Sequence, residues 1–117
     1  MEYLTHSLID KSEALEITQK LKAENAAWQD GKRTAGSLAA KIKNNFQLDK
    51  SSKISNEIKD LVVMKIISNP LLKSFSLPNL IHGVMFTKSL PGNGYGMHVD
   101  NPYMPSGRSD LSFTLFL

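Results

Sequence analysis

The chain has 117 residues, which suits one domain with a core of its own but leaves no room for two full domains. Its net charge is +3, and a content of 41% hydrophobic and 21% charged residues is typical of a globular protein rather than a disordered one. Because the chain contains no cysteine, disulfide scaffolds, cysteine-ligated zinc sites and cysteine nucleophiles are excluded, and a reducing, cytoplasmic location is expected.

Neither a membrane nor a nucleic acid is expected as a partner. The start "MEYLTHSLIDKSEA" lacks the basic residues and apolar run of a signal peptide, and no apolar run approaches the roughly 18 residues that span a bilayer. The lysines are spread out and aromatic residues do not interleave with them, so the mild basicity does not indicate a nucleic-acid surface.

The first predicted element is an amphipathic helix over residues 9–25, "IDKSEALEITQKLKAEN". Asp10 is placed to cap its N-terminus, and Glu13 three residues later completes a capping-box pattern. The apolar stripe is thin, so we expect one face of this helix to cover a core.

The next stretch, "AAWQDGKRTAGSLAAKIKNNFQL", is predicted to hold turns and short extended segments. We expect Trp28 to end a short strand and Asp30-Gly31 to form a turn, whereas "IKNNFQL" fits either a strand or the end of a helix. Polar residues inside an apolar stretch need partners, so one of Asn44 and Asn45 is expected to be buried and hydrogen-bonded to loop backbone.

The clearest predicted helix begins at Ser51 or Ser52 and ends at Asn69, because the residue before Pro70 avoids helical backbone angles. Its apolar face is expected to pack on a sheet. The residues that follow the helical spacing are Ile54, Ile58, Leu61, Val62, Lys65 and Ile66.

From Pro78 onward the apolar period changes to two, which predicts strands in series. The predicted strands are "NLIHGVMFTKSL", "YGMHVDNP" and "SDLSFTLFL", and Asn93-Gly94 between the first two is a hairpin signal. Helices followed by short strands indicate an α+β fold, or a β-sandwich with helices packed outside it. The alternation runs to the last residue, so we expect the chain to be the front part of a longer protein.

His98 and Asp100 are the candidate metal ligands. In a strand, residues two apart point to the same face, so both side chains would enter one space while Val99 faces the other side. An imidazole and a carboxylate suit Fe(II), which two histidines and one carboxylate hold on one face of an octahedron. A surface ion pair and a histidine bonded across a turn are the alternatives, and His6 and His82 are expected to be surface or packed residues.

Residues 85–117, "MFTKSLPGNGYGMHVDNPYMPSGRSDLSFTLFL", resemble the Fe(II)- and 2-oxoglutarate-dependent dioxygenases of the prolyl hydroxylase type, and most of all the bacterial PKHD-type (prolyl/lysyl hydroxylase-like) hydroxylases. That family has a Tyr-Gly-x-His-Val-Asp-Asn strand, a short loop and then Arg-x-Asp-Leu-Ser-x-Thr-Leu-Phe-Leu. The matching residues here run from Tyr95 to Asn101 and from Arg108 to Leu117. Upstream, "DGKRTAG" and "KIKNNFQL" resemble the same family, so the resemblance spans nearly the whole chain.

The resemblance implies a double-stranded β-helix, or jelly-roll, that is C-terminally truncated and braced by N-terminal helices. Residues 1–117 would form a single incomplete dioxygenase domain, with 1–77 as helical and mixed support and 78–117 as the first jelly-roll strands. The resemblance further implies His98 and Asp100 as the first two metal ligands. A later histidine and a basic residue for the 2-oxoglutarate carboxylate should follow, and this chain contains neither.

The resemblance also points to pocket residues, while no catalytic residue is expected beyond the metal ligands. Relatives often carry a tyrosine ahead of the glycine turn, where this chain has Ser89-Leu90-Pro91, so either Tyr95 or another group is expected to serve near the cosubstrate, or cosubstrate binding is weaker. Fe(II) and 2-oxoglutarate are the implied cofactor and cosubstrate, with ascorbate as an optional cofactor. The opposite register of the third strand would turn Phe113 inward. The residues that we place inside the barrel on that strand are Ser112, Thr114 and Phe116.

The implied function is an enzyme activity, hydroxylation of a substrate C–H bond coupled to oxidative decarboxylation of 2-oxoglutarate. The chain by itself is expected to be inactive or unstable. Two other hypotheses stay open: a non-catalytic jelly-roll binding module that keeps a relic metal motif, and a helical adaptor that uses residues 51–68 as an interaction face. The sequence leaves the substrate and the oligomeric state open.

Overall fold

The computed structural model describes residues 3–23 and 27–117, apart from the Thr34 side chain, and within them the fold is α+β, as predicted. No closed barrel arises among these residues, and none of their helices combines the length and apolar character that a bilayer crossing requires. Two short 3-10 helices, Gly31–Thr34 and Ala39–Lys41, also occur. The helices are α1 (Lys11–Leu21), α2 (Lys53–Ser68) and α3 (Pro70–Ser76), and the strands are β1 (Trp28–Asp30), β2 (Lys43–Asn44), β3 (Phe46–Leu48), β4 (Thr87–Lys88), β5 (Gly94–Tyr95), β6 (Tyr103–Met104) and β7 (Gly107–Arg108).

Helix α1 begins at the predicted capping box. The Oδ1 of Asp10 accepts a hydrogen bond from the backbone N of Glu13 at 2.7 Å, and the Oε1 of Glu13 accepts one from the backbone N of Asp10 at 3.3 Å. These bonds satisfy amide groups that the first turn of a helix leaves unpaired. The helix ends at Leu21, earlier than predicted, and the last two predicted residues, 24 and 25, lie outside the described residues.

Helix α2 supplies most of the core. Ser52 caps it by accepting a hydrogen bond from a backbone N–H of the first turn, and the helix ends before Pro70, both as predicted. Most of its predicted apolar face is buried, with Ile58 only 1% exposed, and this face packs against α1 and β3. An ion pair between Lys65 and Glu13 also joins α2 to α1. The buried core consists of Ile17, Leu21, Leu48, Ile54, Ile58, Val62 and Ile66.

Helix α3 follows α2 at once and was not predicted. Asn69 ends α2 and caps α3, because its Oδ1 accepts a hydrogen bond from the backbone N of Leu72 at 3.0 Å. Pro70 takes the first helical position, where the missing N–H has no intrahelical partner to lose. The helix ends at Leu77, whose φ of 44° is left-handed. The Asn69-Pro70 pair is therefore a joint between two helices.

The main sheet is small and antiparallel. Strand β3 lies between β1 and β4, with Trp28 opposite Leu48, so Trp28 begins β1 and does not end it as predicted. Strand β2 pairs with β5 in the same antiparallel sense. As a result, residues 43–48 run alongside residues 87–95, and residues 89–93 loop out between the two paired stretches.

The loop of residues 89–93 contains a tight turn. The carbonyl of Leu90 accepts a hydrogen bond from the backbone N of Asn93 at 2.8 Å, and the Oδ1 of Asn93 accepts one from the backbone N of Leu90 at 2.9 Å. Gly92 has a φ of 86°, an angle that residues with side chains rarely adopt. The predicted hairpin at Asn93-Gly94 is wrong, because Gly94 lies within β5 and pairs with β2.

Two predicted strands do not form as expected. Within residues 78–90 only Thr87–Lys88 pairs with a neighbour, and residues 109–117 adopt no regular element. A strand needs partners for its backbone N–H and C=O groups along its length, and among the described residues β3 pairs only with the end of the first segment. The hairpin of β6 and β7, in which Tyr103 lies opposite Arg108, occupies the stretch between the second and third predicted strands.

The Asp30-Gly31 turn and the asparagines after it pack closely. Asp30 caps the 3-10 helix through its Oδ1, so the predicted turn is confirmed as a helical one. Asn44 is exposed, whereas Asn45 is half-buried and its backbone carbonyl accepts a hydrogen bond from the N of Gly31 at 2.9 Å. The Oδ1 of Asn45 is buried and has no hydrogen-bond partner among the described residues. A Cβ at Gly31 would lie 2.1 Å from that oxygen, so the contact requires glycine.

Candidate metal centre

His98 and Asp100 lie in an irregular segment that follows β5, and the strand predicted for them is wrong. Strand β5 pairs with β2 and ends at Tyr95, and one further hydrogen bond joins the N of Gly96 to the carbonyl of Ile42. Continuing the same register would bring residue 97 opposite residue 41, which belongs to the 3-10 helix Ala39–Lys41. The neighbouring backbone has turned away at that point, so the pairing cannot extend to His98.

The two side chains nevertheless come together as predicted. The Nε2 of His98 lies 3.3 Å from the Oδ1 of Asp100. On its other side, the Nδ1 of His98 lies 2.9 Å from the carbonyl oxygen of Gly96. The tautomer with its proton on Nδ1 would donate to this carbonyl and leave the lone pair of Nε2 available to a cation beside the carboxylate. Val99, between them in the chain, is 94% exposed.

An aromatic contact lies directly behind His98. The ring of Tyr95 stacks on the imidazole, with ring centroids 3.7 Å apart and an interplanar angle of 22°. The Nζ of Lys43 lies 5.2 Å from the Tyr95 ring centroid, and Lys43 and Tyr95 are paired residues on β2 and β5. Lys43 is 4% exposed, and burial lowers the pKa of its ammonium group, with the charge of Lys50 lowering it further.

The His98–Asp100 pair opens onto a shallow cleft of about 430 Å³. Of the predicted pocket residues, Ser112 lines this cleft, whereas Tyr95, Thr114 and Phe116 do not. Phe116 is 87% exposed, and its neighbour Leu115 packs against the core instead. The other residues that line the cleft are Val99, Asn101, Pro102, Ser109, Asp110 and Leu111.

The pair fits two ligands of a site for a divalent metal of the first transition series. Metal–nitrogen and metal–oxygen bonds of about 2.1 Å at right angles place two ligand atoms about 3 Å apart, close to the 3.3 Å between Nε2 and Oδ1. Imidazole and carboxylate are also the donor types of the two-histidine, one-carboxylate iron site. Within residues 3–23 and 27–117, no group of three or more histidine, aspartate or glutamate residues is arranged to hold a metal ion. Among the described residues, the pair therefore accounts for two of the three protein ligands that such an iron site uses.

The other two histidines hold parts of the fold together, in line with their predicted surface or packed roles. His82 is half-buried, with its Nδ1 2.5 Å from the Oγ of Ser106 and its Nε2 2.9 Å from the carbonyl of Arg108. It thus fastens the β6–β7 hairpin to the segment before β4. The Nε2 of His6 lies 3.3 Å from the Nδ2 of Asn69.

Lys43 is the residue near this site that the sequence analysis did not identify. Nothing in "KIKNNFQL" distinguishes it from the exposed lysines of the chain, because its burial depends on the strand that pairs with β2. The only available signal was its place in a short segment that resembles a known family. A tertiary contact, between residues 43 and 95, is what brings it to the site.

The comparisons with known proteins agree on one name. The chain is 76% identical over all 117 residues to a PKHD-type hydroxylase of Prochlorococcus marinus strain NATL1A, and 74% identical to one of strain NATL2A. A PKHD-type hydroxylase of strain SARG is 56% identical over the same 117 residues. In each case the chain covers 53% of the relative, so it spans about half the length of the curated relatives that it matches. No family model and no solved structure matches the chain.

These relatives are named as hydroxylases. Identity of this extent along all 117 residues bears out the resemblance seen in the sequence, so the chain is similar to PKHD-type hydroxylases over the half of their length that it spans.

Proposed function

We propose that the chain forms part of an Fe(II)- and 2-oxoglutarate-dependent hydroxylase in which His98 and Asp100 are two of the metal ligands. The observation that carries the proposal is the 3.3 Å approach of Nε2 and Oδ1 at the edge of an open cleft. The match along all 117 residues to about half the length of proteins named hydroxylases supports it independently.

Bound Fe(II), with 2-oxoglutarate as cosubstrate, would supply the oxidising chemistry that couples decarboxylation of the 2-oxo acid to hydroxylation of a C–H bond. The chain's own residues have simpler tasks. A proton on Nδ1, donated to the Gly96 carbonyl, would keep Nε2 available for a cation, and Asp100 would bring a negative charge to offset that of the cation. Ser112 offers a hydroxyl on the same cleft, which supports the role predicted for it beside the cosubstrate.

For the architecture, we infer that the whole domain is a double-stranded β-helix to which residues 78–117 contribute strands and residues 1–77 contribute bracing elements. Two features support this inference. The core lies among α1, α2 and β3. Residues 109–117 carry the alternating pattern of a strand and form no regular element among the described residues. Thr114 and Phe116 remain candidates for the pocket of that complete barrel.

The experiment that tests the proposal is anaerobic titration of the chain with Fe(II), and with Co(II) as an oxygen-stable substitute, followed by calorimetry and by the unfolding temperature. We expect His98→Ala and Asp100→Ala each to weaken binding by more than the about 10- to 100-fold that loss of an outer-shell partner costs. Asp110→Asn is the matched control, because Asp110 lines the same cleft but pairs with Arg108 at 2.7 Å. It should leave metal affinity unchanged.

Two results would contradict the proposal. Titration that gives no Fe(II)-dependent stabilisation of either the unchanged chain or the longer PKHD-type hydroxylase of strain NATL1A would favour a non-catalytic jelly-roll module with a relic motif. Equal binding by the unchanged chain and the His98→Ala variant would place the metal elsewhere.

A further inference from the structure

The imidazole of His98 is held by few contacts. Its chain neighbours Met97 and Val99 are 100% and 94% exposed, so they provide no packing for it. The two contacts described for the ring, besides that to Asp100, are the hydrogen bond to Gly96 and the stacked face of Tyr95. Stacking favours one plane for the ring, and the contact of Nδ1 with Gly96 favours one of the two orientations in that plane, which a 180° flip about the Cβ–Cγ bond interconverts.

Tyr95 in turn contacts Lys43. Lys43 lies beside it across the β2–β5 pair, with its Nζ 5.2 Å from the ring centroid. Among the described residues Lys43 forms no ion pair, and its ammonium group lies over the electron-rich face of the Tyr95 ring. Because Lys43 is almost fully buried, the position of its side chain is restricted. The order of the contacts is therefore Lys43, Tyr95, His98.

We propose that Lys43 and Tyr95 are positioning residues, which together fix the orientation of the His98 ring and present its Nε2 to the candidate metal centre. The inference rests on the proposed function for its effect on metal affinity, but the orientation itself can be measured without metal. It also changes the role expected for Tyr95, whose ring contacts a metal ligand and does not line the cleft where a cosubstrate would bind.

The first test uses the unchanged, isotope-labelled chain in the absence of metal. Nuclear Overhauser effects between the ring protons of Tyr95 and His98 are expected, with the His98 protons shifted upfield by the stacked ring. The nitrogen chemical shifts of neutral His98 should report a proton on Nδ1. Absence of these Overhauser effects, or a proton mainly on Nε2, would overturn the inference before any residue is changed.

The second test compares substitutions that keep or remove the stacked ring. Tyr95→Phe should retain the upfield shift and the Nδ1 proton, whereas Tyr95→Leu should lose the shift and populate both tautomers. Lys43→Met should give a smaller change in the same direction. Tyr103→Leu is the matched control, because Tyr103 is an exposed tyrosine on β6, where it pairs with Arg108. An unchanged His98 signal in Tyr95→Leu would overturn the inference.

The third test connects orientation to metal. Tyr95→Leu is expected to weaken Co(II) affinity by about 10-fold or more, the range found for outer-shell partners of metal ligands, and Tyr95→Phe should restore it. Equal affinities of all three proteins would overturn the role in metal binding. If the unchanged chain binds no metal, the proposed function fails, while the orientation of His98 is still decided by the magnetic resonance measurements.

Discussion

Lys43 carries a positive charge into a position where it is 4% exposed. Its Cε lies 3.1 Å from the point that a Cβ on Gly31 would occupy, so the side chain is enclosed by the Asp30-Gly31 turn as well as by Tyr95. Removing an ammonium group from water opposes its charged form, which is why the pKa falls. Lys43 packs against Tyr95, but the burial of its charge lowers the free energy of unfolding.

Lys43→Met is expected to stabilise the chain at pH 7, because it keeps the buried stem and removes the buried charge. The folded-state pKa lies below the ordinary value of 10.5, so the unfolded chain binds more protons between the two values and stability rises with pH there. The advantage of Lys43→Met should therefore shrink as pH rises towards 10.5. Urea unfolding from pH 7 to 10 measures this trend, with Lys53→Met, on an exposed lysine, as the control.

A difference between Lys43→Met and the unchanged chain that stays constant across this pH range would show that the charge of Lys43 is not opposed by burial. Destabilisation by Lys43→Met at pH 7 would show that the contact with Tyr95 outweighs the loss of hydration. Either outcome would revise the account of Lys43.

At the scale of elements, helix α2 packs against both helix α1 and strand β3 of the main sheet. Ile58 is 1% exposed in the core, whereas Ile67 on the same helix is 50% exposed. Ile58→Ala should destabilise the chain by about 2–5 kcal/mol, the range for large-to-small changes in a core. Ile67→Ala is the matched control and should cost much less, and urea unfolding compares the two.

Similar small effects of Ile58→Ala and Ile67→Ala on unfolding would favour the adaptor hypothesis, in which residues 51–68 form an interaction face. The burial of Ile58 against α1 and β3 is what makes a core role the expected result.

The helices could be predicted from the sequence because their signals are local. The Asp10 capping box and the Ser52 cap both hold, and the spacing of isoleucines on α2 identifies its buried face. The Asn69-Pro70 pair carried a second signal that was missed, since a capping asparagine before proline also begins a helix. The strands were less predictable, because pairing depends on residues far away in the chain.

In the candidate site, too, only the part that depends on local spacing could be predicted from the sequence. The i, i+2 spacing of His98 and Asp100 correctly predicted that the side chains meet, but it gave the wrong backbone, because the partner of β5 turns away at Ile42. The place of Tyr95 against His98 could not be derived, since a pattern does not reveal which rings stack.

At the scale of the whole molecule, burial is uneven. The core lies among α1, α2 and β3, whereas the segment around the candidate site exposes large apolar side chains such as Met97 and Phe116. The chain also spans about half of the relatives that it matches. The core is therefore enclosed by other parts of the chain, whereas the segment around the candidate site is largely exposed.

We predict that the chain by itself forms little succinate when supplied with Fe(II) and 2-oxoglutarate. His98 and Asp100 supply two protein ligands, and the two-histidine, one-carboxylate site to which the proposal assigns them uses three. The measurement is succinate formation, with the PKHD-type hydroxylase of strain NATL1A assayed in parallel. Robust succinate formation by the 117-residue chain would show that the two ligands suffice.

The pairing of β2 with β5 bears on the order in which parts of the chain fold. Bringing Lys43 to Tyr95 closes a loop of about 50 residues, whereas the turns of α1 and α2 form from near neighbours. Contacts between distant parts of a chain form late in folding, because the chain loses the entropy of loop closure before the contact stabilises it. We therefore expect His98 and Asp100 to take their places after the helices form, and local opening of β5 to separate Tyr95 from Lys43 before the helices melt.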